Sequence, residues 1–175
     1  IVQNIETCIT MDAKASGSTL ILVGNTTDSM GGSHVLMVDS NARCNTELPA
    51  VNLQDGPKFA KAVHELIKAG FVRSAHDCSD GGLLVAVAEM AFGGGFGIEL
   101  QNDNNIDFAA YCFAETPSRY VLEIAPENVE RAQSMLQGIP HSIVGKTNDS
   151  DQLTIGDCSW SIDELRNTWT QGMVV

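Results

Sequence analysis

A chain of 175 residues with 43% hydrophobic and 18% charged residues suits one domain with a sizeable core and excludes disorder as the general state. Ten Lys plus Arg stand against 22 Asp plus Glu, a formal net charge of -12, which opposes long-range attraction to nucleic acid or to an anionic membrane. No apolar run approaches the roughly 20 residues that cross a bilayer, and the first residues carry neither a basic region nor a signal core, so a cytoplasmic location is expected.

The apolar run TLILV at 19–23 reads as a buried strand ending at Gly24. The turn-rich stretch NTTDSMGGS at 25–33 reads as a loop, and 35–49 fits neither template. Over 54–69 the residues Phe59, Ala62, Val63, Leu66 and Ile67 fall at helical spacing, with Gly70 placed as a C-terminal cap. A short strand is expected over 71–76. The run LLVAVAEMAF at 83–92, apolar almost all round, predicts a buried helix stopped by Gly93-Gly94-Gly95.

Further strands are expected over 96–100, 118–124 and 139–144, and a short helix over 106–113. Pro126, with Glu127 and Glu130 in the first turn and Gly138 past the end, opens another helix. Leu153, Ile155, Cys158 and Trp160 alternate about Gly156-Asp157, the pattern of a two-residue hairpin. Ser161 and Glu164 form a capping box for a last helix with Ile162, Leu165 and Trp169 as its inner stripe. Interleaved strands and helices predict an α/β (α+β) fold, a mixed β-sheet covered by helices. The five cysteines, Cys8, Cys44, Cys78, Cys112 and Cys158, have no Cys-x-x-Cys spacing and are expected as buried free thiols.

The strongest chemical signal is a strand, then His76-Asp77-Cys78-Ser79-Asp80-Gly81-Gly82, then a helix. Backbone N–H groups beside two glycines make an anion site, and Ser79 can donate to a phosphate. Asp77 and Asp80 would repel a bare phosphate but hold Mg²⁺ with it, so one reading is a magnesium-nucleotide site. The other is that Ser79 or Asp80 caps the helix while the glycines only let it pack. The loop at 24–33, with Asp28, reads as a surface turn. Glu115-Thr116-Pro117-Ser118-Arg119 reads as a solvated Glu115–Arg119 ion pair. His76 beside Asp77 has the chemistry of a general base or of a histidine bonded to its neighbours, and no histidine has a second ligand at metal spacing. With five lysines and no Gly-x-x-x-x-Gly-Lys loop, a complete ATP site is not expected within this chain alone.

These motifs carry a resemblance. The segment FVRSAHDCSDGGLLVAVAEMAF at 71–92 resembles the Ala-His-Asp-x-Ser-Asp-Gly-Gly-Leu signature of the phosphoribosylformylglycinamidine synthase family. TMDAKASGSTLILVGNTTDSMGGS at 10–33, FAETPSRY at 113–120 and ELRNTWTQG at 164–172 are similar to three further family segments in the same order. The resemblance implies the carboxyl-terminal domain, of the aminoimidazole ribonucleotide synthetase C-terminal type, of a longer synthase, occupying 1–175. Residues 1–15 would then be a linker or a first strand coming from the upstream domain.

The implied reaction of the whole synthase is an ATP-dependent C–N ligation in purine biosynthesis. ATP activates the formamide oxygen of formylglycinamide ribonucleotide, and ammonia from glutamine gives the amidine. The implied ligands are ATP or ADP with Mg²⁺, shared with upstream domains, the isolated domain being inactive. By resemblance Asp77 is the Mg²⁺ ligand and Ser79, with Gly81 and Gly82, the nucleotide contact, at an auxiliary, structural or regulatory nucleotide site rather than the catalytic one. Glu115, Ser118 and Arg119 would form a substrate or structural loop, although the segment reads Glu-Thr-Pro where the family's other half reads Glu-Ser-Gln. Implied partners are the upstream domains, the ribonucleotide substrate and, in the short form that the end at Val175 favours, a glutaminase subunit and a small accessory subunit. Two alternatives are a relative of the aminoimidazole ribonucleotide synthetase, selenophosphate or thiamine-phosphate kinase type, and a non-catalytic packing domain.

Overall fold

The computed structural model describes residues 4–39, 41–103 and 105–172. They form β1 (Thr19–Val23), α1 (His34–Val38), α2 (Gly56–Lys68), β2 (Val72–Asp77), α3 (Gly82–Gly94), β3 (Gly97–Leu100), α4 (Phe108–Phe113) and β4 (Tyr120–Ile124). Then follow α5 (Val129–Met135), β5 (His141–Asn148), β6 (Gln152–Ile155), β7 (Cys158–Ser161) and α6 (Ile162–Gln171), with 3-10 turns at Ile5–Thr7 and Pro126–Asn128. The strands make a seven-stranded mixed sheet in the order β2-β4-β1-β5-β3-β6-β7. Only β3 and β6 pair in parallel among these neighbours.

The expected mixed sheet covered by helices is what forms, with helices on both faces. In β1 all five residues are buried, as a central strand requires. Leu20 and Leu22 face the core of α3, Tyr111 and Cys112 of α4, and Ile162. Ile21 and Val23 face Phe59, Val63 and Leu66 of α2 and Ala132 and Leu136 around α5. The sequence TLILV reads as one unbroken apolar run because it serves two cores at once. Helix α3 is buried at Leu83, Leu84, Val87, Met90 and Ala91, so its apolar circumference fits its place between the sheet, α4 and α6.

Three local expectations change. The helix opened by Pro126 starts as a 3-10 turn over Pro126–Asn128 and becomes α-helical only from Val129. The stretch that fitted neither template yields only the five-residue α1 and irregular chain. Of the cysteines, all free, Cys78 and Cys112 are buried, Cys44 is half-buried, and Cys8 and Cys158 are exposed. Ser161 does cap α6, accepting the Glu164 N–H at 3.5 Å.

A buried carboxylate ties residues 14 and 15 to the sheet. The register between β2 and β4 shifts between Val72 and Ser74, which leaves Arg73 as the extra residue and sets Ser74 opposite Glu123. Glu123 is wholly buried and accepts from Ser74 Oγ at 2.6 Å, Ser18 Oγ at 2.7 Å, and the Lys14 and Ala15 N–H groups at 2.8 and 3.1 Å. Four donors meet the desolvation demand of a buried carboxylate. Before Thr19 the described residues contain one 3-10 turn and no strand. No described helix is long and apolar enough to cross a membrane.

Candidate functional site

Because β1 and β2 both run antiparallel to β4, their ends and the start of β4 meet at one edge of the sheet. The loop 24–33, the turn 78–81 and the segment 114–119 are therefore gathered there. A cleft of about 730 Å³ opens beside the turn and the 114–119 segment, lined by apolar Ile9, Val63 and Ile67 together with Asp77, Ser79, Asp80, Glu115 and Ser118. Such a mixed lining suits a ligand with an apolar part and a charged part.

In the turn after β2 neither Ser79 nor Asp80 caps the helix. The N-cap of α3 is Gly81, at φ 78, and no side chain caps it. Ser79 Oγ instead donates to Asp77 Oδ2. The Gly81 N–H donates to Glu115 Oε1 at 2.8 Å and the Gly82 N–H to the Ser79 carbonyl at 3.1 Å. Both glycine N–H groups that could cradle a phosphate are thus used within the fold, the first by the chain's own carboxylate. Gly82 has φ +69, and a Cβ there would lie 2.6 Å from the Ala114 carbonyl oxygen, so the pair brings α3 directly against α4.

Glu115 does not pair with Arg119. Its Oε1 also accepts from the His34 N–H at 2.9 Å and meets His34 Nδ1 at 3.0 Å. Burial acts to raise its pKa, but the His34 and Gly81 N–H groups and the His34 ring outweigh it and hold the carboxyl below the ordinary glutamate range. Arg119 is 1% exposed, turned inward rather than solvated. It donates through Nη1 to Thr26 Oγ1 at 2.8 Å, through Nε to the Thr116 carbonyl at 3.3 Å, and through Nη2 to the Ala114 carbonyl. The expected solvated ion pair is replaced by a buried guanidinium held by neutral acceptors.

Ser118 explains the inward turn. Its φ of 63 is the one positive value among the described non-glycine residues. Gly24 and Gly56 leave room for it, since a Cβ on either would stand 2.6 Å from Ser118 O and 2.8 Å from Ser118 Oγ respectively. The loop 24–33 is accordingly no plain surface turn. Besides Thr26 on Arg119, the Thr27 N–H donates to Thr116 Oγ1 at 3.1 Å, so the loop is bolted to the 114–119 segment.

Asp77 is held at both oxygens, by Ser79 Oγ and by His76 Nδ1 at 3.3 Å. The Ser79 hydroxyl, aided by His76 and opposed by partial burial, keeps its carboxyl below the usual aspartate range. An ionised, half-exposed carboxylate at a cleft mouth can take a hard cation on its remaining lone pairs. His76 is bonded to its neighbours on both sides: its Nε2 meets Glu89 Oε2 at 2.6 Å, and Glu89 Oε1 accepts from Trp169 Nε1 at 3.1 Å. A relay thus runs from α6 through α3 to Asp77. Burial pushes the Cys78 thiol up to about 11, which leaves it protonated and inert.

Sequence reasoning missed two features. His34 comes within hydrogen-bond reach of Glu115 and 3.9 Å of Asp80 Oδ1. The other is a second cleft of about 680 Å³, lined by Thr26, Asp28, Asp107, Tyr111 and His141. Neither has a local sequence signal, because each assembles from segments far apart in the chain.

The family model for "AIR synthase related protein, C-terminal domain" matches residues 15–158. Among curated relatives, the phosphoribosylformylglycinamidine synthase subunit PurL of Alkaliphilus metalliredigens is 33% identical over 97% of this chain and 24% of its own length. That of Sinorhizobium fredii is 35% identical over 87% of this chain and 21% of its own. The chain therefore spans about a quarter of the length of these relatives. Its fold recurs in T. maritima PurL complexed with FGAR, at TM-score 0.80 and 13% identity over 92% of this chain and 30% of that one. It recurs also in T. maritima PurL complexed with ATP (TM-score 0.72, 14% identity, 92% and 27% covered) and in PurLQS from Thermotoga maritima (TM-score 0.75, 12% identity, 93% and 28% covered). A family match across most of the chain, on a fold shared at this level, places the chain in the family of AIR synthase related proteins, C-terminal domain.

Proposed function

We propose that this chain is the carboxyl-terminal domain of a phosphoribosylformylglycinamidine synthase and forms one wall of a magnesium-nucleotide cleft whose other wall belongs to upstream domains. The whole protein would be a ligase that uses ATP to convert formylglycinamide ribonucleotide, with ammonia from glutamine, to the amidine. Relatives named for that synthase, and fold neighbours solved with FGAR and with ATP, support the reading. A glutaminase subunit and a small accessory subunit would supply the ammonia, and the reaction would be cytoplasmic.

The observation that carries the reading is the gathering of Asp77, Ser79, Glu115, Ser118 and Arg119 around one cleft at the sheet edge. Asp77 holds Mg²⁺, Ser79 orients Asp77 and contacts the nucleotide, and Gly81 and Gly82 shape the turn. Glu115 fixes that turn through the Gly81 N–H, while Ser118 and Arg119 form the structural loop of the cleft. No lysine is among the described residues that line the cleft, so phosphate charge is met by the metal and by residues upstream.

The test is ADP release by the full-length protein, with formylglycinamide ribonucleotide and ammonia supplied or withheld. Release that requires both is expected, and release indifferent to the ribonucleotide overturns the ligase reading. In the same assay Asp77→Asn should weaken magnesium-nucleotide binding about 10–100-fold, the worth of a charge-assisted contact of about 1.5–3 kcal/mol. Unchanged affinity would remove the metal role of Asp77.

A further inference from the structure

At the cleft mouth three chain segments bring together His34, at the start of α1, Asp80, in the turn before α3, and Glu115, before β4. One ligand atom from each lies within 4.8 Å of the other two. We propose that these residues form a divalent transition-metal site, with Zn²⁺ as its natural class of ion, distinct from the Mg²⁺ position assigned to Asp77.

The spacing fits coordination. Metal–nitrogen and metal–oxygen bonds of about 2.0–2.1 Å place tetrahedral ligand atoms about 3.3 Å apart. His34 Nδ1 stands 3.0 Å from Glu115 Oε1 and 3.9 Å from Asp80 Oδ1, one on either side of that value. An imidazole nitrogen beside two carboxylates selects zinc, cobalt or nickel over magnesium, which prefers an all-oxygen octahedron. Three protein ligands leave a fourth position open to water or to a ligand in the cleft.

The site is also held in place before any ion arrives. Glu115 is fixed by the Gly81 and His34 N–H groups at 2.8 and 2.9 Å, the kind of outer support that orients a ligating carboxylate. His34 is placed by the same contact, because its own N–H is one of those two donors. An ion between His34 Nδ1 and Glu115 leaves no room for a proton on Nδ1, so binding requires the imidazole with a free lone pair there. Asp80, whose side chain is 83% exposed, swings to close the triad without disturbing the core.

The inference is independent of the ligase reading, and its experiment reads metal alone. Co²⁺ is titrated into the full-length protein in excess Mg²⁺, which saturates oxygen-only sites, and its visible absorption is followed, with Zn²⁺ then added as competitor. One equivalent of Co²⁺ with absorption of tetrahedral intensity, displaced by Zn²⁺, is expected. His34→Gln and Asp80→Asn, both at exposed positions, should each weaken binding by more than the ~10–100-fold that loss of a merely supporting contact costs. Absence of Co²⁺ binding in the folded protein, or binding that neither substitution weakens, overturns the proposal. Far-ultraviolet circular dichroism of the two variants identifies a loss of binding that comes from unfolding, and Asp80→Asn, outside any buried network, then decides.

Discussion

Glu115 and Glu123 are answers to one problem, how to keep a carboxylate out of bulk water, and they differ in what they fasten. Glu123 is wholly buried and spends its acceptors on hydroxyls and on the N–H groups of residues 14 and 15, so it anchors the segment that leads into β1. Glu115 sits at the cleft and fastens the turn before α3 to the start of α1. Its pKa is lowered in the fold, so it contributes stability that is present above the unfolded glutamate value of about 4.3. That contribution is lost as pH falls through the lower folded value. Glu115→Gln should therefore be less stable than the parent at neutral pH, and the gap between the two should close under acid. Denaturant midpoints of both proteins between about pH 6 and pH 3 check this; a gap that stays constant across that range contradicts the assignment.

At the scale of elements, the glycine pair that ends the signature turn has a packing duty that is separable from chemistry. Gly82→Ala puts a methyl group 2.6 Å from the Ala114 carbonyl oxygen at φ +69. Left-handed backbone costs about 1–2 kcal/mol for a residue with a Cβ, and overpacking a further 1–3 or so. A loss of about 2–5 kcal/mol in unfolding free energy is expected by chemical denaturation, and a loss below about 0.5 kcal/mol would show that α3 and α4 can part freely. Much of the element structure was legible: 19–23 is a strand from end to end, α2 buries Phe59, Val63 and Leu66, and α6 starts at its Ser161 cap. These follow from local periodicity and capping, which a single segment carries within itself. The 3-10 turn at Pro126 and the five-residue α1 were not legible, since short elements are decided by what they pack on. The site was legible in parts. The turn from Asp77 to Gly82 and the segment from Glu115 to Arg119 both announced themselves, but their meeting did not. A spacing of four residues suggested a Glu115–Arg119 pair, yet Ser118 at φ 63 turns the two side chains to opposite fates. His34 reached the site only through the antiparallel pairing that brings β1 and β4 to one edge.

The whole molecule is unevenly covered. Apolar side chains between residues 37 and 53 stand in solvent, with Met37 72%, Val38 88%, Leu48 76%, Val51 65% and Leu53 82% exposed. So many bare aliphatic groups in one stretch are uncommon on a free-standing domain and mark a surface made to be covered. On the proposed synthase reading the cover would be an upstream domain. The net charge of -12 sets copies of the isolated chain against one another at low salt, while salt screens that repulsion within about 10 Å at 0.1 M. The excised chain should accordingly associate more as salt rises, the reverse of an assembly held by ion pairs. Replacing Val38 and Leu53 together by Asp should abolish the association without lowering the denaturation midpoint, because neither side chain is in the core. Light scattering across a salt series reads both effects. Association that weakens with salt, or that survives the double substitution, would move the contact surface elsewhere, to the open edge of β7 or to the half-exposed Ile143 of β5.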